Sequence, residues 1–384
     1  MGMLSKIKVL HGCFGYTYFK LVLLVMSNKV FHVLPTLKKD GAESQLLTLV
    51  AGQQLQDMTP VVLTFDLYKK GSSVEEELIE LGVEILSCKR NIFSILNIIY
   101  KEVNTNNYLV VHSHLPKADI AVGIVKLIVD IKHVVSVHAQ YGTRQEESKI
   151  KYFFLFPIWK FFVNRASSII SISEKVKSWL IRNKIENDIN VVYYAVGNHL
   201  SSHKPLNRNI FGMAARYLPW KGWDNLLEVA SKLSEQNFDF QLHLAGSDDI
   251  GYKKDLKTKV KEKGLEELVF IHDEFESIYD FFDLIDVFIF LSESEGFGLV
   301  VLEAMSYGLP VICSDIQPIN EFVDNETGVL IDRNNTDEVS EKLMELLLNE
   351  DKRMSMSRNQ LNKVKDEFSI EKMVQKVKEL YYSP

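Results

Sequence analysis

Two carboxylates, Glu295 and Glu303, stand with seven residues between them in the segment Glu293-Ser-Glu-Gly-Phe-Gly-Leu-Val-Val-Leu-Glu303. Gly296 and Gly298, on either side of Phe297, let a backbone come close to a ligand. The amides that open a helix near Leu299 add donors and the positive end of its dipole. Together these make a cradle for a diphosphate. Glu303 lies about one turn inside that helix, where a carboxylate can accept both hydroxyls of a ribose. Glu295 stays in the loop and faces whatever follows the phosphates. A second loop, Arg216-Tyr-Leu-Pro-Trp-Lys221-Gly-Trp, offers a guanidinium fork and an ammonium point charge that can neutralise two phosphates and stabilise a diphosphate as it leaves. Charge balance of this kind needs no metal ion.

Such loops need strands behind them, because ligands of open α/β sheets sit beyond the carboxyl ends of the strands. From Lys29 on, short apolar runs alternate with stretches of helical period. One set of strands is expected at 29–35, 61–65, 83–87, 108–114, 133–139 and 168–173; a second at 210–215, 240–246, 268–273, 286–292, 310–315 and 328–332. Most are apolar on both faces, as strands covered by helices on either side must be. The chain is therefore α/β, with two Rossmann-like, doubly wound parallel-sheet domains facing a cleft, at 28–197 and 198–365. Residues 198–209 are polar and without period, which suits a linker. Trp223, Leu226, Leu227, Ala230 and Leu233 share one side of a helix.

Length and composition agree with this organisation. The 384 residues suit two domains of about 150 to 200 residues each. A net charge of -7 from 44 basic and 51 acidic residues, without long blocks of one sign, speaks against nucleic acid as a partner. Cys13, Cys88 and Cys313 are far apart and form no C-x-x-C pair, so they read as thiols in a reducing cytoplasm. The apolar run Tyr18–Met26 is too short to span a bilayer and lacks a signal-peptide cleavage site. Residues 1–27 are accordingly set apart as an extension, with translation expected to begin at Met26 and a weak membrane anchor as the alternative.

The motifs resemble those of the retaining glycosyltransferases of family four, which have the GT-B fold. Glu295-GFGLVVL-Glu303 has the Glu, seven residues, Glu spacing of that family, and it runs on into AMSYGLPVI and the turn Thr327-Gly328-Val-Leu. The resemblance covers residues 28 to 384 and is strongest from 210 to 335. It implies that Arg216 and Lys221 bind the donor diphosphate together with Gly296, Phe297, Gly298 and Leu299, that Glu303 binds the ribose, and that Glu295 meets the transferred sugar. It also implies that His138, in Val-Ser-Val-His-Ala, reaches the donor sugar from the first domain. Lys39-Asp-Gly41-Ala-Glu43 resembles the loop that borders donor and acceptor, and 366–384 the terminal helix that packs back on the first domain. Three positions depart from the family pattern: Asp40 in place of a glycine, Ala215 before Arg216, and Tyr194-Ala195 in place of Asn-Gly. The expected activity is hexosyl transfer from a nucleotide-diphosphate sugar to a glycan or glycolipid hydroxyl, with no cofactor and no metal. Its expected setting is surface polysaccharide or lipopolysaccharide synthesis, in the cytoplasm and in contact with the inner face of the membrane.

Each motif also has a plainer reading. The glycine turn can be a tight connection and Arg216 and Lys221 solvated charges. His112, His114 and His138 can form a zinc site, but no acidic or cysteine partner has matching spacing. Ser247-Asp248-Asp249 superficially resembles an Asp-rich metal motif with the wrong spacing, and reads as a polar loop. Lys149–Arg165 mixes aromatic and basic residues as an interfacial helix does. Pro157 is expected to break it, and its aromatics lie all round, so core is the preferred reading. A nucleotide-sugar epimerase of the same fold, or a non-catalytic sugar-nucleotide-binding partner, stands beside the transferase reading.

Overall fold

Strands and helices alternate throughout the computed structural model, which describes residues 27–38, 40–65, 73–141, 149–197 and 208–383, with the backbone alone at 73 and 149–153. The first sheet holds β1 (Lys29–Leu34), β2 (Thr59–Thr64), β3 (Glu84–Ser87), β4 (Val110–His114), β5 (His133–Val137), β6 (Ser168–Ser171) and β7 (Ile189–Val191), in the order β3-β2-β1-β4-β5-β6-β7. The second holds β8 (Ile210–Ala214), β9 (Gln241–Ala245), β10 (Val269–Ile271), β11 (Val287–Phe290), β12 (Val311–Ser314) and β13 (Val329–Ile331), in the order β10-β9-β8-β11-β12-β13. Neighbouring strands run parallel in both sheets. The apolar runs of the sequence account for every strand except β7, whose three residues at a sheet edge are too few to show a period.

Strand order reverses between β1 and β4 in the first sheet and between β8 and β11 in the second. A crevice opens at such a switch point. The Arg216–Lys221 loop follows β8 and the Glu293–Gly298 loop follows β11, so both flank the crevice of the second sheet.

The two sheets are filled differently. Phe211, Phe288 and Phe290 of the second sheet, and Trp223, Leu226, Leu227, Ala230 and Leu233 of the helix Trp223–Glu235, are buried. Each such side chain contributes about 1.5–3 kcal/mol by leaving water. The centre of the first sheet instead buries His32, His112, Ser113, His114 and Ser136.

The chain crosses between the domains twice. Val196 and Ser369 lie in a parallel bridge, and the Val196 amide donates to the Phe368 carbonyl at 3.2 Å. Beyond that point the helix Ile370–Tyr382 packs on the helix Gly41–Gln54 of the first domain. A Cβ on Gly52 would lie 2.5 Å from Val374 Cγ2 and 2.6 Å from Ile370 Cγ2, so only glycine permits this approach.

One expectation is corrected. The helix Lys149–Val163 continues through Pro157; proline removes a single backbone donor there, and Trp159, Phe162 and Val163 anchor the second half in the core. No helix among the described residues is long and apolar enough to cross a membrane. Cys88 and Cys313 are buried free thiols. Cys13, Tyr18–Met26, Lys39 and residues 198–207 of the expected linker lie outside the described residues.

Candidate active site

The loops after β8 and β11 are stitched together by backbone and side chain. The Glu293 amide donates to the Trp220 carbonyl at 2.9 Å. Arg333, just beyond β13, binds the Glu293 carboxylate at 2.9 Å and reaches the Trp220 and Leu291 carbonyls at 3.5 Å. This brings Lys221 onto Glu295: Nζ and Oε1 are 2.6 Å apart, with each side chain 12% exposed. Removing one partner from a pair so nearly buried typically costs about 3–5 kcal/mol. The Arg216 side chain, in the same loop as Lys221, makes no hydrogen bond or ion pair with any described residue, and the residue is half-buried.

Gly298 opens the helix Leu299–Ser306 with φ at 92° and no side-chain cap. A left-handed φ of this kind suits glycine, and it turns the first amides of the helix toward the crevice for an anion. Phe297 is buried beside it. Glu303 sits in the second turn of this helix, half-buried, and its negative charge raises the Tyr279 hydroxyl further after burial has done so.

From the first domain comes the carboxyl end of β5. A Cβ on Gly296 would lie 3.2 Å from the His138 carbonyl oxygen, so the Glu295–Gly296 turn faces His138 across the domain junction. Both ring nitrogens of His138 are engaged, Nδ1 with the Tyr194 hydroxyl at 2.7 Å and Nε2 with His114 Nδ1 at 3.1 Å. Burial pushes His138 down to about 4, which leaves it neutral at physiological pH. Gly41 begins the helix Gly41–Gln54, whose cap is Asp40; the Asp40 side chain accepts from the Gly41 amide at 2.8 Å. The acidic cap thus replaces a glycine with a helix start.

The structure adds residues that spacing alone does not single out. Tyr194 bonds His138 and sets its ring 5.0 Å from Phe297 of the other domain. Its segment is pinned by Gln45, whose amide exchanges two 3.0 Å hydrogen bonds with the Ala195 backbone. Glu43 is buried next to this segment, and burial pushes its carboxyl up to about 7. Glu321 of the second domain accepts from the amides of Glu174 and Lys175 at 2.8 and 2.9 Å, capping the helix Glu174–Arg182 of the first. Lys175 Nζ donates to the Glu295 and Gln317 carbonyls at 3.1 and 2.7 Å. The pattern of Asp40 to Glu43 pointed to the loop but not to the buried carboxyl. Nothing in the sequence links Glu321 or Lys175 to their partners.

Of the three histidines considered for zinc, His138 bonds His114 through Nε2 and Tyr194 through Nδ1. The buried group whose ring nitrogens lie within 4.8 Å of one another is His32, His112 and His114. Asp248 accepts from the Lys253 amide at 3.3 Å in the loop after β9.

Residues 39–197 match the family described as Glycosyltransferase Family 4, and residues 198–363 the family described as Glycosyl transferases group 1. An uncharacterized glycosyltransferase of Methanocaldococcus jannaschii is 27% identical over 86% of this chain and 91% of its own length. The UDP-Gal:alpha-D-GlcNAc-diphosphoundecaprenol alpha-1,3-galactosyltransferase of Escherichia coli is 28% identical over 74% of this chain and 77% of its own. The crystal structure of HepE from Anabaena, in complex with UDP and glucose, superposes with a TM-score of 0.77 at 19% identity, covering 91% of this chain and 98% of that one. Two parallel-sheet domains, with the Glu295–Glu303 loop at the second switch point and both family matches together spanning most of the sequence, make the chain a GT-B glycosyltransferase of group 1.

Proposed function

We propose that the chain transfers a sugar from a nucleoside-diphosphate sugar to a hydroxyl of a glycan or glycolipid acceptor, with retention at the anomeric carbon and without a metal ion. The observation that carries this reading is the Lys221–Glu295 pair, 2.6 Å long and nearly buried, beside the Arg216 guanidinium, which has no partner among the described residues, and a helix N-terminus without a side-chain cap. In the reaction the bond from the anomeric carbon to the diphosphate oxygen breaks, the bond to the acceptor oxygen forms, and the acceptor proton leaves with the diphosphate. Positive charge is needed where the diphosphate departs, and Arg216, Lys221 and the amides at Leu299 supply it. As Lys221 turns to the diphosphate, Glu295 is released to face the positive charge that develops on the sugar. Glu303 holds the ribose, and the His138 edge and the Gly41 helix border the acceptor side. The UDP and glucose in the HepE complex and the diphosphoundecaprenol acceptor in the name of the E. coli relative support this donor and acceptor class, and with it surface polysaccharide or lipopolysaccharide synthesis.

We place the reaction at the inner membrane face. Phe154, at 66% exposure, and Leu155, Ile158 and Phe161 are uncovered along the helix Lys149–Val163. The Arg165 guanidinium lies 3.7 Å over the Phe161 ring. An apolar edge beside a cation is what an anionic lipid surface takes up.

Labelled nucleotide sugars incubated with glycan and lipid-linked acceptors in EDTA test the chemistry. A glycosylated acceptor that keeps the donor's anomeric configuration supports the proposal. A donor altered without acceptor indicates an epimerase, and nucleotide-sugar binding without turnover on any acceptor a binding partner. Co-sedimentation with anionic vesicles tests the location: it should weaken when Phe154 and Phe161 are both changed to Ser, and an unchanged pellet removes this helix from the membrane contact.

A further inference from the structure

A continuous chain of hydrogen bonds runs from the cleft through the first sheet to the last helix. Tyr194 meets His138 at 2.7 Å, His138 meets His114 at 3.1 Å, and His114 meets His32 at 3.1 Å. His32 Nε2 lies 2.9 Å from Gln53 Oε1, and Gln53 Nε2 donates to the Tyr381 hydroxyl at 3.1 Å. The Tyr381 hydroxyl lies 2.6 Å from His112 Nδ1, and His112 Nε2 lies 2.8 Å from Ser136 Oγ.

Proton counting fixes how these bonds run. A neutral imidazole has one donor and one acceptor nitrogen. Gln53 Oε1 must accept, so His32 carries its proton on Nε2 and accepts on Nδ1. His114 then donates from Nε2 to His32, His138 donates from Nε2 to His114, and Tyr194 donates to His138. On the other side Gln53 donates to Tyr381, Tyr381 to His112, and His112 to Ser136. Every donor has one acceptor, and every ring has a single proton on Nε2. If the Gln53 amide turned over, all the bonds would reverse together, so one side chain sets the tautomer of all four histidines.

The same count argues against a metal among His32, His112 and His114. Each of their nitrogens already has a partner at hydrogen-bond distance, and no carboxylate is among those partners to offset a dication. Burial keeps the rings neutral as well, with His32 pushed down to about 4 and His112 and His114 well below their ordinary value.

The chain joins two places that matter to the reaction proposed above. At one end, His138 and Tyr194 abut Gly296 and Phe297 of the donor loop. Near the other, Tyr381 is buried on the helix that follows the second domain and crosses back onto the first. We propose that Tyr381 is a positioning residue: through Gln53, His32 and His114 it holds His138 in one tautomer and one orientation at the cleft, so that seating of the terminal helix is felt at the donor sugar. This rests on His138 facing that sugar.

Tyr381→Phe keeps the ring and its packing and removes only the hydroxyl. Nitrogen spectra of histidine-labelled full-length protein should show His32, His112, His114 and His138 each with one protonated Nε2. In Tyr381→Phe the His138 signals should move toward averaged values, and kcat should fall roughly tenfold while KM for the donor stays within about twofold, the effect of one buried hydrogen bond. Gln53→Met, which cuts the chain from the other helix, should do the same. Unmoved His138 signals in both variants overturn the proposal, as does a moved pattern with unchanged kcat. A stoichiometric transition metal in the purified protein overturns it too. The spectra need no turnover, so a protein that transfers no sugar would sink the proposed function while the tautomers still decide whether the chain exists as described.

Discussion

The two sheets share a topology and differ in what they bury. The strands of the second are lined by phenylalanine and aliphatic residues, so that its core is dry and the candidate donor site is confined to loops at the switch point. The first carries histidine and serine through its centre, joined to one another by hydrogen bonds, with His133 Nδ1 alone among these ring nitrogens buried without a partner among the described residues. A dry core fixes loops by packing, and the site it holds is built of backbone amides and charges. A hydrogen-bonded core fixes side chains by donor and acceptor matching, and it extends a site into the sheet. In the proposed reaction the donor is held by the first kind of frame and faced by the second.

That contrast can be broken by experiment. If charge in the second domain carries the transfer, Glu295→Gln should lower kcat by about 100- to 1000-fold with a much smaller change in donor binding, whereas His138→Gln should cost nearer tenfold. Equal losses in steady-state kinetics would place the two domains on the same footing. For the cores, Phe288→Ala should destabilise the protein by about 3–5 kcal/mol in chemical denaturation. Ser136→Ala, which leaves His112 Nε2 without its acceptor, should cost about 1–3 kcal/mol; a reversed order would show that the polar core is the more brittle one.

The histidines also give the first domain a pH response. His32 and His138 are held at about 4 and His133 at about 3, all below the ordinary value of 6.5, with desolvation as the main cause. The unfolded chain therefore takes up protons first, and this stabilisation is complete above pH 6.5 and lost as pH falls toward 4. Glu43 and Asp119, raised to about 7 by burial, act in the opposite sense: their contribution is lost as pH rises through 7. With His112 and His114 also lowered, the histidines outnumber these carboxyls. The Tm should fall between pH 7 and pH 5, and a flat profile would contradict neutral buried histidines. The smallest effect is expected at the junction, where Glu321→Ala removes the cap on Glu174 and Lys175. It should cost about 1 kcal/mol and speed hydrogen exchange at the start of that helix.

Much of the second domain could be read from the sequence because its signals are local. The apolar strands, the Glu295–Glu303 spacing and the glycines between them all fall within short windows. The ion pair of Lys221 with Glu295 could not, since the partners lie 74 positions apart and meet only because β8 and β11 are neighbours. His32 shows the same limit more strongly. Alone in an apolar strand it has no motif, and its partner His114 comes 82 positions later. Pro157 misled in the other direction, because tertiary packing kept together a helix that local propensity would end. Tyr194 stood out only as a departure from a family pattern, and its contacts with His138 and Phe297 need both domains in place.

The central claim is a metal-free donor site on the second domain, with Glu303 on the ribose. The most direct test is thermal unfolding of the wild type and Glu303→Ala with UDP, GDP, ADP, dTDP or CDP in EDTA. At 100 times its dissociation constant, a nucleotide adds about 2.7 kcal/mol of stability. One nucleotide should stabilise the wild type in the presence of EDTA and the variant far less. Stabilisation that disappears with EDTA, that is equal in the two proteins, or that no nucleotide produces would contradict the account.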